Sequence, residues 1–208
     1  MGVYKKIKIK KNLTFRLSLR KKDGLGHFIR CLRIFYEIKE KYNCTFVVDK
    51  ISKNFRNYYK SISFLEIYKK KSFISQSTDA EKFISMTNNL KPEIIIIDDY
   101  RLNKVWHDKL KRKDNKIIVI DDLSNKKMKC DYYINYKLNL EKHYNRIKKI
   151  NNNRTKLLLG INYCLIGKDL KRKHTTKLKK NIIINFGNSF NFNKIKKNLK
   201  KLFKLNHN

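Results

Sequence analysis

Residues 93–98, EIIIID, and 116–121, KIIVID, decide the fold of this chain. Each is a continuous run of β-branched apolar residues that ends in an acid pair, Asp98-Asp99 and Asp121-Asp122. A strand with water on one face alternates apolar and polar side chains, whereas an unbroken apolar run belongs to a strand covered on both faces, as at the centre of a parallel sheet. Outward from this pair, strand-like and helix-like segments alternate, the pattern of an α/β domain. Leu13 to Leu19 predicts a first strand carrying Phe15, Leu17 and Leu19, Thr45 to Val48 a second and Phe64 to Tyr68 a third, with an amphipathic run around Phe55 to Ile62 between the last two. Thr78-Asp79-Ala80-Glu81 reads as a capping box that opens a helix toward Leu90. A helix near Asn103 to Lys111 carries Val105, Trp106 and Leu110 as its packing stripe. Cys130 to Asn135 and Lys156 to Gly160 predict further short strands, separated by a basic segment around Lys142 to Arg154. The expected fold class is α/β, a Rossmann-like parallel sheet with helices on both faces.

Both acid pairs fall at the carboxyl ends of their strands, the edge at which open α/β sheets bind ligands. Paired aspartates there suit a divalent cation, and they equally suit the cap of the following turn or helix. The same edge receives Asp23 to Leu32, DGLGHFIRCL, where a glycine turn delivers His27 to the mouth of a helix. Phe28, Cys31, Leu32, Phe35 and Ile38 recur at helical spacing, so the helix begins at or just after His27. Its unpaired N–H groups and positive dipole end face the place where Gly24 and Gly26 allow close approach to the backbone. Histidine is the side chain suited to general base or acid work near neutral pH. Short glycine motifs also have many chance matches, and by itself this turn reads as well as a plain helix entry whose histidine only caps or hydrogen-bonds.

The chain holds 208 residues, enough for one good core and part of another domain at roughly 100–200 residues per domain. The division expected is a Rossmann-like unit over 1–166, a basic linker over 167–180, and over 181–208 the opening strand and helix of an incomplete second domain. Lys and Arg number 52 against 17 Asp and Glu, a formal charge of +35. Such a charge alone suggests nucleic acid or an anionic membrane. Here it is mostly lysine spread from Lys5 to Lys204 beside abundant asparagine and isoleucine, the mark of compositional drift and not of arginines clustered with aromatics on one element. No specific nucleic-acid partner is expected, though the field draws phosphorylated substrates. No stretch approaches the roughly 20 apolar residues of a membrane span, and the basic amino terminus lacks a secretory signal's apolar core, so the expectation is a cytoplasmic chain without membrane insertion. Cys31, Cys44, Cys130 and Cys164 are isolated and read as reduced thiols, Cys31 on a buried helix face. His107, His143, His174 and His207 lie in lysine-rich surroundings and read as surface residues.

The motifs stand in a particular order: Phe15-Arg16; Gly24, Gly26, His27, Arg30, Cys31 and Leu32; Asp98-Asp99-Tyr100 with Trp106; Ile120-Asp121-Asp122-Leu123 with Cys130-Asp131; and Leu158-Leu159-Gly160 with Tyr163, Leu165 and Ile166. In this order and spacing the chain resembles the nucleotide-sugar hydrolases of the pseudaminic-acid pathway and their spore-coat polysaccharide relatives (PseG/SpsG type). The resemblance implies a glycosyltransferase-B-type fold, with two Rossmann-like domains facing across a cleft. It implies hydrolysis of a UDP-linked diacetamido-trideoxy sugar at the anomeric carbon, with His27 activating water, UDP leaving, and no metal or other cofactor. It further implies substrate contacts at Gly24, Leu25, Gly26, Arg30, Asp98, Tyr100, Asp122, Tyr163 and Gly187. The departures are Ser18 in place of an aspartate in the opening strand, and Phe186-Gly187-Asn188-Ser189 in place of a second-domain G-G-x-D. Most of a nucleotide-gripping domain is expected to be missing, so the chain is expected to act on its UDP-linked amino sugar either in a truncated, weakened form or with a separate partner chain that supplies the domain. The alternatives are a glycosyltransferase of the same fold, in which an acceptor hydroxyl replaces water, and an inactive truncated remnant or binding module.

Overall fold

The computed structural model describes residues 10–68 apart from 21, 22 and 24, then 75–110, 114–137 and 143–166, and finally 196 and 199–201. The strands are β1 (Lys11–Leu17), β2 (Tyr42–Val48), β3 (Ser63–Glu66), β4 (Ile94–Asp98), β5 (Lys116–Ile120), β6 (Tyr132–Asn135) and β7 (Lys156–Leu159). The helices are α1 (Gly26–Ile38), α2 (Lys53–Tyr58), α3 (Gln76–Thr87), α4 (Lys104–Leu110) and α5 (Tyr144–Ile150). All strand pairs are parallel, in the order β3-β2-β1-β4-β5-β6-β7. The chain order reverses between β1 and β4, which makes the gap outside their carboxyl ends the topological switch point of the sheet.

The period of two along each strand divides the core into two layers. Leu13, Phe15 and Leu17 of β1, Phe46 and Val48 of β2, Ile96 of β4 and Ile120 pack with Phe28, Cys31, Leu32 and Phe35 of α1 on one face. Val47, Ile95, Ile97, Ile117, Val119 and Tyr133 point the other way and meet Ala80 and Phe83 of α3, Trp106 and Leu110 of α4, and Ile147 of α5. Phe28 packs edge-on against Phe55 and Tyr59 and tilted against Phe46 and Phe64, an apolar cluster that fixes α1 on its face.

Several sequence expectations need correction. β1 is buried on both faces, with Thr14 and Arg16 as buried as their apolar neighbours. Thr78 does not open α3: Ser75 is the N-cap and accepts the Thr78 N–H at 3.1 Å, which frees Asp79 for the interior. The basic segment before β7 forms α5, anchored by Ile147. Val105 is 52% exposed and is no part of the α4 packing stripe. Of the expected second unit only residues 196 and 199–201, all helical, are described, so Gly187, like Gly24, lies outside the described residues. Among those residues no helix is long and apolar enough to cross a membrane.

His107 is fully buried and not on the surface. Its Nδ1 accepts the Lys129 N–H at 3.2 Å, which leaves the proton on Nε2, where no partner is found among the described residues. Burial pushes this imidazole down from 6.5 to about 3, against a small opposing pull from Asp108. As pH falls below 6.5 the unfolded chain takes up a proton that the folded chain refuses until about 3. Stability is therefore expected to fall with acid across that window, at up to about 1.4 kcal/mol per pH unit. Replacing His107 by Asn keeps an acceptor for the Lys129 N–H and removes the titration, so urea unfolding across the window should show a flatter slope for His107→Asn than for the wild type.

Candidate active site

The buried stripe of α1 runs His27, Phe28, Cys31, Leu32 and Phe35. Its apolar members lie over the sheet, and His27, at the head of the stripe, comes to rest past the core at the switch point. The first helical hydrogen bond is Ile29 N–H to Leu25 O at 2.9 Å, so the N–H groups of Gly26, His27 and Phe28 have no acceptor within the helix. The N-cap residue, Leu25, offers no side-chain hydrogen bond to this end. A Cβ built on Gly26 would meet nothing within 4 Å, so the fold itself does not demand glycine there and the backbone faces open space.

His27 Nδ1 lies 2.6 Å from Asp98 Oδ1. Arg30, one helical turn on, sends Nε to Asp98 Oδ2 and Nη2 to Oδ1, both at 2.7 Å. Nη2 also lies 3.0 Å from His27 Nδ1. A carboxylate only accepts, so Nδ1 carries the proton and donates to Asp98, and Nδ1 and Nη2 are two donors that share Oδ1. The contacts of the ring among the described residues are both made at Nδ1, none engages Nε2, and the side chain is 3% exposed. The Tyr100 ring packs edge-on against the imidazole at 4.5 Å between centroids, and its hydroxyl donates to Asp122 Oδ1 at 2.5 Å. Burial, and then the hydrogen bond to Asp122, raise the Tyr100 pKa against the pull of Arg30, so the phenol stays protonated. A fixed imidazole with one nitrogen held by a carboxylate and the other bare can accept a proton from water or a hydroxyl at the sheet edge.

The two acid pairs divide by strand parity. Asp98 continues the side of Ile96 and Asp122 that of Ile120, so both meet the α1 face. Asp99 points to the opposite face, where it pairs with Arg16 and Arg101. Asp121 accepts from the N–H groups of Leu123 and Ser124 and from the Tyr133 hydroxyl. Asp98 and Asp122 thus both reach Arg30 while Asp99 and Asp121 serve other partners, and among the described residues no group of three or more His, Cys, Asp or Glu side chains is placed to hold a metal.

The other sequence candidates are distributed unevenly. Leu25 is 43% exposed and lines an apolar cavity of about 320 Å³ with Leu19, Ile51 and Phe55, on the β1–β2 side of His27. Tyr163 sits in a short 3-10 turn after β7, and no hydrogen bond or ring contact joins it to His27 or its partners. A second cavity, about 470 Å³, opens at the amino ends of β1 and β2 beside Asn12 and Thr14, at the edge remote from His27. Sequence reasoning missed Tyr136, whose hydroxyl accepts from Arg30 Nη1 at 2.8 Å. Its signal was available: Tyr136 follows Ile134 by two residues at the carboxyl end of β6 and so faces α1. No family model and no curated protein matches the chain.

Proposed function

We propose that this chain carries the catalytic half of a nucleotide-sugar hydrolase, in which His27 Nε2 takes a proton from water as the water attacks the anomeric carbon and UDP departs. The observation that carries this reading is the His27–Asp98 pair at the switch point, with Nδ1 held at 2.6 Å and no hydrogen bond to Nε2 among the described residues. Asp98 fixes the tautomer and stabilises the imidazolium that forms, as a carboxylate does for the histidine of a hydrolytic triad. UDP is a good leaving group, so a positioned base together with donors for the diphosphate can suffice. The N–H groups at the start of α1 that have no acceptor within the helix, and the net charge of +35, favour a diphosphate ligand. The sequence resemblance narrows the substrate to a UDP-linked diacetamido-trideoxy sugar, with a second Rossmann-like unit gripping the nucleotide, in a cytoplasmic setting.

Turnover in ¹⁸O-labelled water tests the reading, because attack at the anomeric carbon places the label in the released sugar and none in UDP. Release of UDP only when a sugar acceptor is added would instead establish glycosyl transfer. Calorimetry that detects no binding of UDP or UDP-sugar would establish an inactive remnant.

Gly26 supplies a separate check. With open space before its Cβ, Gly26→Ala is expected to leave the fold intact, more stable by up to about 1 kcal/mol from helix propensity. A substrate that approaches this backbone would meet the new methyl group, so KM should rise while the melting temperature holds or increases.

A further inference from the structure

We propose that Arg30 is a positioning residue that clamps Asp98 against His27, with Tyr136 as its anchor, and is not a group that grips substrate. The proposal rests on the reading of His27 as the base.

A guanidinium offers five N–H donors in a rigid planar fork. In Arg30 all three nitrogens are engaged by the protein. Nε and Nη2 take the two oxygens of Asp98 at 2.7 Å each, and Nη1 donates to the Tyr136 hydroxyl at 2.8 Å, with Asp122 Oδ2 at 3.7 Å from the same nitrogen. The side chain is 13% exposed and Asp98 is fully buried. Although burial opposes its charge, the hydrogen bonds and charge of Asp98 hold the Arg30 pKa above its ordinary value, so the fork stays cationic.

A carboxylate held only by His27 could turn about its Cβ–Cγ bond. The bidentate fork fixes its plane, so Oδ1 meets Nδ1 at 2.6 Å and holds the ring proton on that nitrogen. Tyr136, at the carboxyl end of β6, braces the fork from a strand that does not carry Asp98. The dyad is thus held between α1, β4 and β6. Lysine cannot reproduce this hold, because a single ammonium has no pair of parallel donors.

A residue that grips substrate raises KM when it is removed, whereas one that orients the base lowers kcat. The test uses the full chain with Arg30→Gln, Arg30→Lys and Tyr136→Phe, and compares kcat and KM for UDP release from a UDP-sugar. Nitrogen-15 NMR of the His27 ring without substrate reads which ring nitrogen carries the proton in the neutral form. Expected are a single Nδ1–H tautomer in the wild type, mixed tautomers in Arg30→Gln, and a fall in kcat of roughly 10²-fold with KM nearly unchanged. Arg30→Lys should recover little of the loss, and Tyr136→Phe should fall between wild type and Arg30→Gln. If Arg30→Gln does not fold, Arg30→Lys carries the same test, since it retains the charge and loses the fork. A raised KM with unchanged kcat and an undisturbed tautomer would overturn the proposal. If the wild-type chain releases no UDP, the ring-nitrogen spectrum still decides: mixed tautomers in the Arg30 variants uphold the clamp while the hydrolase reading fails, and an unchanged spectrum ends both.

Discussion

Replacing His27 by Gln is expected to lower the rate of UDP release by roughly 10²–10⁴-fold, the range a positioned general base contributes. The amide keeps the bulk of the ring and can still donate to Asp98, but it offers no basic nitrogen where Nε2 stands. Binding of UDP should be unaltered, because in the proposed reading the imidazole acts on water and not on the diphosphate. Asp98→Asn should lose part of the same activity, since the dyad then lacks the carboxylate that stabilises the imidazolium. Because the two side chains act as one unit, the double variant should be about as slow as His27→Gln alone. Initial rates of UDP release under substrate saturation, with calorimetry of UDP as control, make the measurement. A His27→Gln chain that turns over at the wild-type rate would remove His27 from the mechanism.

Arg16→Leu is expected to destabilise the fold by about 3–5 kcal/mol, the cost of removing one partner from a buried ion pair. Arg16 has no exposed side-chain area, and it is held at 2.7 Å from Asp79, 3.2 Å from Asp49 and 3.5 Å from Asp99. Burial opposes its charge, but the carboxylates of Asp99, Asp79 and Asp49 more than offset this and keep its pKa above the ordinary value. Asp79, on α3, also accepts from Trp106 Nε1 at 2.8 Å and from the Tyr68 hydroxyl. Leucine at position 16 would strand these carboxylates without their central cation. Against a typical total of about 5–15 kcal/mol, such a loss brings the domain near unfolding. Urea unfolding with matched m-values reads the difference, and a change below about 1 kcal/mol would mean that the network is solvated or neutralised in a way that the geometry does not suggest.

The same network sets an acid limit. Burial would raise Asp99, yet the hydrogen bonds from Arg101 and the charge of Arg16 hold it below its ordinary 3.8. A carboxylate with a depressed folded pKa stabilises fully above its unfolded value and loses that contribution as pH falls through the folded one. Asp99 therefore adds its part to stability above 3.8 and releases it only in stronger acid, whereas His107 weakens the fold from 6.5 downward.

Much of this was legible in the chain. Unbroken apolar runs can be covered only between two layers, so EIIIID and KIIVID implied a parallel sheet with helices on both sides, and the structure shows that sheet. The glycine turn and apolar stripe of α1 placed His27 at a helix mouth, because helical spacing depends on local sequence alone. The misreadings have a common cause. Arg16, Asp79 and His107 are polar residues whose burial depends on partners 11 to 83 positions away, and no local pattern announces such pairing.

The acid pairs show where local information ends. Side chains alternate along a strand, so the sequence alone determined that the neighbours in Asp98-Asp99 and Asp121-Asp122 diverge. It could not determine which member of each pair serves the site. That choice depended on α1 packing over the face of Phe15, Ile96 and Ile120, which brought His27 and Arg30 to Asp98 and Asp122 and left Asp99 to Arg16. Strand parity is a local property of the backbone, but the face a helix covers is settled by the packing of the whole sheet.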